Sequence, residues 1–278
     1  MKRQRLNWQE KVRKNMRKIM DFEHVKAVFE EYLNGYDREN DKVKLKIVHT
    51  YGVIRCSEEI GRRMGLQAED MELAKLIALL HDIGRFEQLK RFNSFEADTM
   101  DHATYGVQVL FEEGMIRQFI EEDTWDDVIR TAIAKHSDYE LTGITDERTL
   151  LHARLIRDAD KLDNCRVKLE DAMETLLDLS ADEVGKYAIS PKVREDAFAG
   201  KCICSKDRRT PMDYWVSYVA YFYDLNFRET LDIVAEEQYV KRIIGRVPYT
   251  NEQTQKDDGR AGTAAYRVCE KEVSFCKL

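Results

Sequence analysis

His81 and Asp82 stand side by side where a mostly apolar run ends (Leu73, Ala74, Leu76, Ile77, Leu79, Leu80). Burying two adjacent ionisable groups there costs on the order of several kcal/mol unless something compensates. A divalent ion does so, because it takes neutral imidazole and carboxylate as ligands. Other residues of the same chemical type fall on apolar faces. His136 is in phase with Ile129, Ala132 and Ile133, and His49 lies near Ile47, Val48 and Val53. His102 opens a pattern whose apolar side, Ala103, Val107 and Leu110, starts one residue later. Asp160 is flanked by Leu155, Ile156 and Leu162, with Asp158 and Asp163 close by in the same run. The successive separations are 32, 20, 34 and 24 residues, so each ligand would come from a different helix and meet the others inside a bundle. Convergence is a property of the tertiary fold, and spacing alone leaves it open. His24 and His152 read as ordinary polar residues.

The elements that must position these groups are helical. The 278 residues contain 3 prolines and 13 glycines, 43% apolar and 35% charged residues, a composition that favours long helices around a sizeable core. Periodicity predicts helices over residues 9–34, ending at Asn34-Gly35, and over 41–64, ending at Gly65. A third, over 68–80, is buried on most sides. Residues 85–100 show no convincing period and read as a loop. Helices resume around Ala103–Phe111 and Val128–Ile133, then over 148–176 and 212–225. In the last of these Trp215, Tyr218, Val219 and Phe222 form a core stripe. The segment after Pro248 and the tail to 278 read as flexible. No repeat and no β-rich region is present, so the chain is read as all-α.

Net charge is −7, but residues 1–18 carry eight Lys/Arg against Glu10, which leaves the remainder at −14. An acidic body argues against nucleic acid as a partner. The basic run reads as a solvated arm. No apolar run reaches the ~20 residues of a membrane span, and the N-terminus lacks the apolar core of a signal peptide. A cytoplasmic location and no membrane partner are expected. The six cysteines read as thiols, and the close pair Cys202 and Cys204 has no second pair to complete a zinc site.

The order His49 … His81-Asp82-Ile83-Gly84 … Asp160 resembles the HD-domain superfamily of metal-dependent phosphohydrolases, in its His-Asp-Ile-Gly variety. The likeness covers about residues 40–165 and extends towards the aromatic helix near 222. HDIGRFEQLKRFNSF, DHATYGVQVL and AIAKHSDY are especially similar to a poorly characterised branch of HD hydrolases. The resemblance implies a single all-α bundle of the HD type; the chain is read as that domain over 36–245, with a basic helical arm at 1–35 and a flexible tail at 246–278. It implies that His49, His81, Asp82 and Asp160 hold a first metal. Asp160 is preferred to Asp158 and Asp163 because the family pattern reads Ala-Asp, a basic or polar residue, then Leu. His102 and His136 match the ligands of a second metal in two-metal members, and Asp82 would then bridge both ions and serve as the central catalytic carboxylate.

The chemistry implied is attack of a metal-activated water on a phosphate ester or anhydride of a nucleotide or other small phosphorylated molecule. Mn, Fe, Co, Ni and Zn all suit the ligand set, as one ion or two. Arg85, Lys161 and Lys135 are candidate phosphate contacts. Two alternatives stand beside this reading: a di-iron oxygenase, which some six-ligand members of the superfamily are, and a non-catalytic nucleotide-binding regulatory domain. Helices 9–34 are expected to pack on the bundle and to offer a homodimer interface.

Overall fold

Asn40 and Gly65 bracket a 24-residue helix. The Asn40 side chain accepts from the Lys42 and Val43 amides, and Gly65, at φ 73°, supplies the left-handed residue that ends it. A second helix of the same length begins where the Asp146 carboxylate accepts from the Thr149 amide. Each is about 36 Å long, and they pack along one another to form the frame of the molecule.

The computed structural model describes residues 20–96 and 98–254. In chain order the helices are α1 (Phe22–Leu33), α2 (Asp41–Met64), α3 (Ala68–Leu80), α4 (Ile83–Phe92), α5 (His102–Val107), α6 (Ile116–Phe119), α7 (Asp126–Lys135), α8 (Glu147–Glu170), α9 (Met173–Leu177), α10 (Ala181–Val184), α11 (Pro191–Phe198), α12 (Pro211–Ala220), α13 (Arg228–Glu236) and α14 (Tyr239–Ile244). Among the described residues there is no strand. The fold is all-α. Because α3 is apolar nearly all round, it runs through the centre, against α1, α2, α7 and α8. Leu76, Ile77, Leu79 and Leu80 are all essentially inaccessible.

The expected loop over 85–100 is corrected: α4 fills its first half, and the described residues 93–96 and 98–100 lie outside regular helix. Ile83, Phe86 and Leu89 make a buried apolar stripe, but two features hide its period. Gln88 is a buried polar residue on that face, and Phe92 is an aromatic left 48% exposed. Gln88 is satisfied locally, accepting from Arg85 and donating to the Glu96 carbonyl and the Thr99 hydroxyl. It ties the helix to the loop that follows. Asn93, at φ 47°, ends the helix.

Three other boundaries move. The helix after His102 widens into a π turn over Gln108–Glu112. The long α8 stops at Glu170, where the Arg246 guanidinium takes the Lys168 and Asp171 carbonyls, and a separate α9 follows. The aromatic helix ends at Ala220 in a 3-10 turn, with Trp215, Val219 and Phe222 buried as expected. Of the helical pattern over 9–34, α1 is described and packs Val25, Phe29 and Leu33 into the core. Residues 1–19, most of the basic arm, lie outside the described residues, as do residues 255–278 of the tail. Val247 is buried, and the Thr254 hydroxyl donates to the Tyr187 carbonyl at 3.1 Å, so the packed body runs past residue 245.

Candidate metal centre

The six candidate ligands drawn from the sequence meet in one place. The α2 helix brings His49, the end of α3 brings His81 and Asp82, α5 opens with His102, His136 caps α7, and α8 brings Asp160. Ligand atoms of His49, His81, Asp82 and Asp160 lie within 4.8 Å of one another, and so do those of Asp82, His102 and His136. Asp82 belongs to both groups. One of its oxygens, Oδ2, is 3.1 Å from His81 Nε2 and 3.9 Å from His49 Nε2. The other, Oδ1, is 3.1 Å from His102 Nε2 and 3.5 Å from His136 Nε2. A single carboxylate thus presents one oxygen to each group. Asp160 Oδ1 completes the first group, 3.0 Å from His49 Nε2 and 3.8 Å from His81 Nε2.

Three of the imidazoles are held in the tautomer that a metal requires. His81 Nδ1 donates to the Ala78 carbonyl and His136 Nδ1 to the Ile133 carbonyl, each at 2.7 Å. His49 Nδ1 donates to Asp163 Oδ2 at 2.8 Å. With Nδ1 protonated, each Nε2 points inward as a lone pair. His102 is neutral for another reason: burial and the neighbouring Arg85 guanidinium push its pKa down to about 3. Burial opposes ionisation of Asp82, but the Lys46 ammonium beside it holds its carboxyl well below the usual range.

Whether these residues fit a metal can be judged from what they leave undone. His81 Nε2 and Asp82 Oδ1 are buried and have no hydrogen-bond partner. His102 Nε2 comes close to Asp82 Oδ1, yet it accepts from Arg85 Nη2 at 3.0 Å and so has no proton to give. Buried polar atoms are almost always paired, and two adjacent orphans of ligand type fit a cation. The donor set, imidazole nitrogen and carboxylate oxygen, suits a divalent first-row metal.

Two glycines allow this approach. A Cβ on Gly84 would lie 2.2 Å from the His102 carbonyl oxygen, so only glycine lets α4 pass α5 closely enough to bring the doublet to His102. A Cβ on Gly52 would lie 1.9 Å from Asp163 Oδ1, so glycine there leaves room for the carboxylate that orients His49.

The three expected phosphate contacts separate. Arg85 is at the cluster, with Nε 3.8 Å from Asp82 Oδ1 as well as its bond to His102. Lys161 instead pairs with Asp224 at 2.7 Å, a carboxylate it shares with Arg157. Lys135 lies at the surface, 3.4 Å from Asp138. Neither lysine bonds to any of the six. Asp158 is bound wholly within the fold, to the Asn226 and Phe227 amides, the Asn226 side chain and the Thr230 hydroxyl. His152 pairs with Asp70, and His24 with the Gln118 carbonyl, as ordinary polar residues do. Four residues were missed. Lys46 is ion-paired with Asp82 in the interior. Its signal was a lysine three residues before His49, one turn away on the same face. Asp163 orients His49, Asn164 donates to Asp160 Oδ1 at 2.9 Å, and Lys168 lies one turn beyond Asn164 on the same face of α8.

Residues 47–165 match the HD domain family. All six candidate ligands fall within the HD match, whereas Lys46 and Lys168 lie just outside it. Ribonuclease Y of Acetivibrio thermocellus is 29% identical over 165 residues, which cover 56% of this chain and 27% of that protein. The chain therefore spans about a quarter of that curated relative's length. No solved structure matches the chain. Among the described residues, no helix is long and apolar enough to cross a membrane.

Proposed function

We propose that this protein is a metal-dependent phosphohydrolase that cleaves a phosphate ester or anhydride of a small phosphorylated molecule, with a nucleotide as the leading class. The observation that carries the reading is the position of Asp82: one buried carboxylate turned towards two histidine groups, with orphaned atoms on it and on His81. The match of residues 47–165 to the HD domain, a family whose superfamily consists mostly of metal-dependent hydrolases, supports this reading. His49, His81, Asp82 and Asp160 would hold one ion, and Asp82, His102 and His136 a second. Two such ions supply a water deprotonated near neutral pH and positive charge for the phosphoryl oxygens.

The chain's own residues do the rest. Asp82 fixes the two halves of the cluster relative to one another through its two oxygens. Asp163 and the Ala78 and Ile133 carbonyls hold three imidazoles in register through Nδ1, so the ligands need no rearrangement as charge develops. Arg85, at the cluster, is the guanidinium placed to donate to a phosphoryl oxygen. Asp160, with its side chain 23% exposed against 8% or less for the other five, marks the side from which substrate and water enter. No nucleophilic side chain is required.

Metal content per chain, measured by elemental mass spectrometry on protein purified without chelator and followed by phosphate release from a panel of nucleotides and phosphate esters, tests the reading. One or two equivalents of Mn, Co, Ni or Zn with phosphate release supports it. Two irons with dioxygen consumption and no phosphate release would replace it with oxygenase chemistry. Absence of metal even after reconstitution removes it. In the two-metal case, His102→Ala is expected to lower the count from two to one.

A further inference from the structure

Two turns beyond Asp160 on α8 lies a lysine with almost nothing to do. Lys168 is 6% exposed. Its ammonium meets the Asn164 side-chain oxygen at 3.4 Å and lies 4.1 Å from the centre of the Tyr218 ring. Among the described residues no carboxylate lies within ion-pairing distance, and two of its three N–H donors find no acceptor. A buried, unpaired ammonium is expensive. Two other lysines look different: Lys46 has Asp82 and Lys161 has Asp224.

Lys168 is also connected to the candidate centre. Asp160, Asn164 and Lys168 follow one another at intervals of four residues and so share one face of α8. The Asn164 amide joins the other two, donating to Asp160 Oδ1 at 2.9 Å and accepting from Lys168. Those two contacts and the width of an amide cap the distance from Asp160 Oδ1 to Lys168 Nζ at about 9 Å. Tyr218 and Tyr221 face this row from α12 and the turn after it, with rings 5.7 Å apart. Burial pushes the Tyr221 phenol up, and the nearby Asp160 carboxylate adds to the shift.

We infer that Lys168, held by Asn164 and backed by Tyr218, is a second anion subsite for the phosphoryl group that follows the scissile one in a diphosphate or triphosphate substrate. The inference rests on the phosphohydrolase reading and narrows its substrate class. Within that limit of about 9 Å, a diphosphate that places one phosphoryl group at the candidate centre would bring the next one to the ammonium, whereas a monophosphate would leave Lys168 unpaired. The aromatic pair excludes water from the charge pair, which strengthens it.

The test is binding of two non-hydrolysable probes, methylenediphosphonate and methylphosphonate, to the Mn-loaded full chain by titration calorimetry. The wild type is expected to prefer the diphosphonate, and Lys168→Met to reduce that preference about 10-fold or more, as loss of a charge-assisted bond does. Lys168→Arg should restore part of it. Thermal melting of Lys168→Met guards against a merely structural role: a lysine that stabilises the fold would lower the midpoint when removed, whereas an unpaired subsite lysine leaves it equal or higher. An unchanged preference in Lys168→Met, no preference in the wild type, or a lowered midpoint overturns the inference. Phosphate release in the panel above together with an unchanged preference leaves the hydrolase reading intact and removes the subsite alone. A Lys168-dependent preference without any phosphate release does the reverse.

Discussion

Asp158 and Asp160 sit two residues apart on α8, and they belong to opposite kinds of polar interior. Asp158 is fully buried and receives four donors, from Asn226 N, Asn226 Nδ2, Phe227 N and Thr230 Oγ1. Nothing there is left unpaired, and the result is a clamp that fixes the start of α13 against α8. Asp160 faces the other way, into a group that includes His81 Nε2 and Asp82 Oδ1, both buried and both without a hydrogen-bond partner. A satisfied buried carboxylate is architecture. An orphaned carboxylate oxygen among imidazoles, as on Asp82 beside Asp160, marks a candidate site for a group the chain does not itself supply.

The sharpest way to break that comparison is to remove one member of each region. His81→Ala is expected to abolish metal binding and phosphohydrolase activity, while lowering the midpoint of the metal-free protein less than Asp158→Ala does. Asp158→Ala leaves four donors without an acceptor, at a loss of about 3 kcal/mol or more, seen as a midpoint lower by ~10 °C, with the metal count unchanged. If the two variants gave the same pattern, the division between architecture and site would be wrong.

A finer cut lies between the ligands and the residue that aims one of them. Asp163→Asn keeps the shape of the side chain but weakens its hold on His49 Nδ1, so metal affinity should fall about 10–100-fold without complete loss. Competition with a metal-binding dye measures this. An affinity equal to wild type would make Asp163 a partner of Arg166 alone.

The smallest effect concerns Lys168 and pH. Burial lowers its pKa to about 8 from the ordinary 10.5. Between those values the unfolded chain binds the extra proton, so the wild type gains stability as pH rises from 8 to 10.5, and below pH 8 the full penalty of the buried charge is present. Lys168→Met removes that penalty. Its midpoint should exceed that of the wild type at pH 7 by the equivalent of at most about 3 kcal/mol, and the advantage should shrink as pH climbs past 8. An advantage that grew with pH would contradict the burial of an unpaired charge.

Much of this molecule is legible in one dimension. The helices over 41–64 and 68–80 begin and end where the sequence places them, because Asn40, Gly65 and an unbroken apolar run are local signals that tertiary packing had no reason to override. The six candidate residues and their order were also there to be read, and the fold brings them to one place. The helix over 83–92 was not legible, because Gln88 is buried on a polar network rather than on apolar contact, and hydrophobic periodicity cannot register that. Nor was the choice among Asp158, Asp160 and Asp163 visible from the residues alone. All three lie on one helix within five residues, and only the fold assigns one to a clamp, one to the cluster and one to the back of His49. The same holds for the three cations expected to meet phosphate. Arg85 reaches the cluster, while Lys161 and Lys135 are drawn to Asp224 and Asp138. The sequence by itself determined which groups are present and which helices carry them. Only the tertiary structure decided which carboxylate each group meets, because an ion pair is set by distances of a few ångströms between segments far apart along the chain.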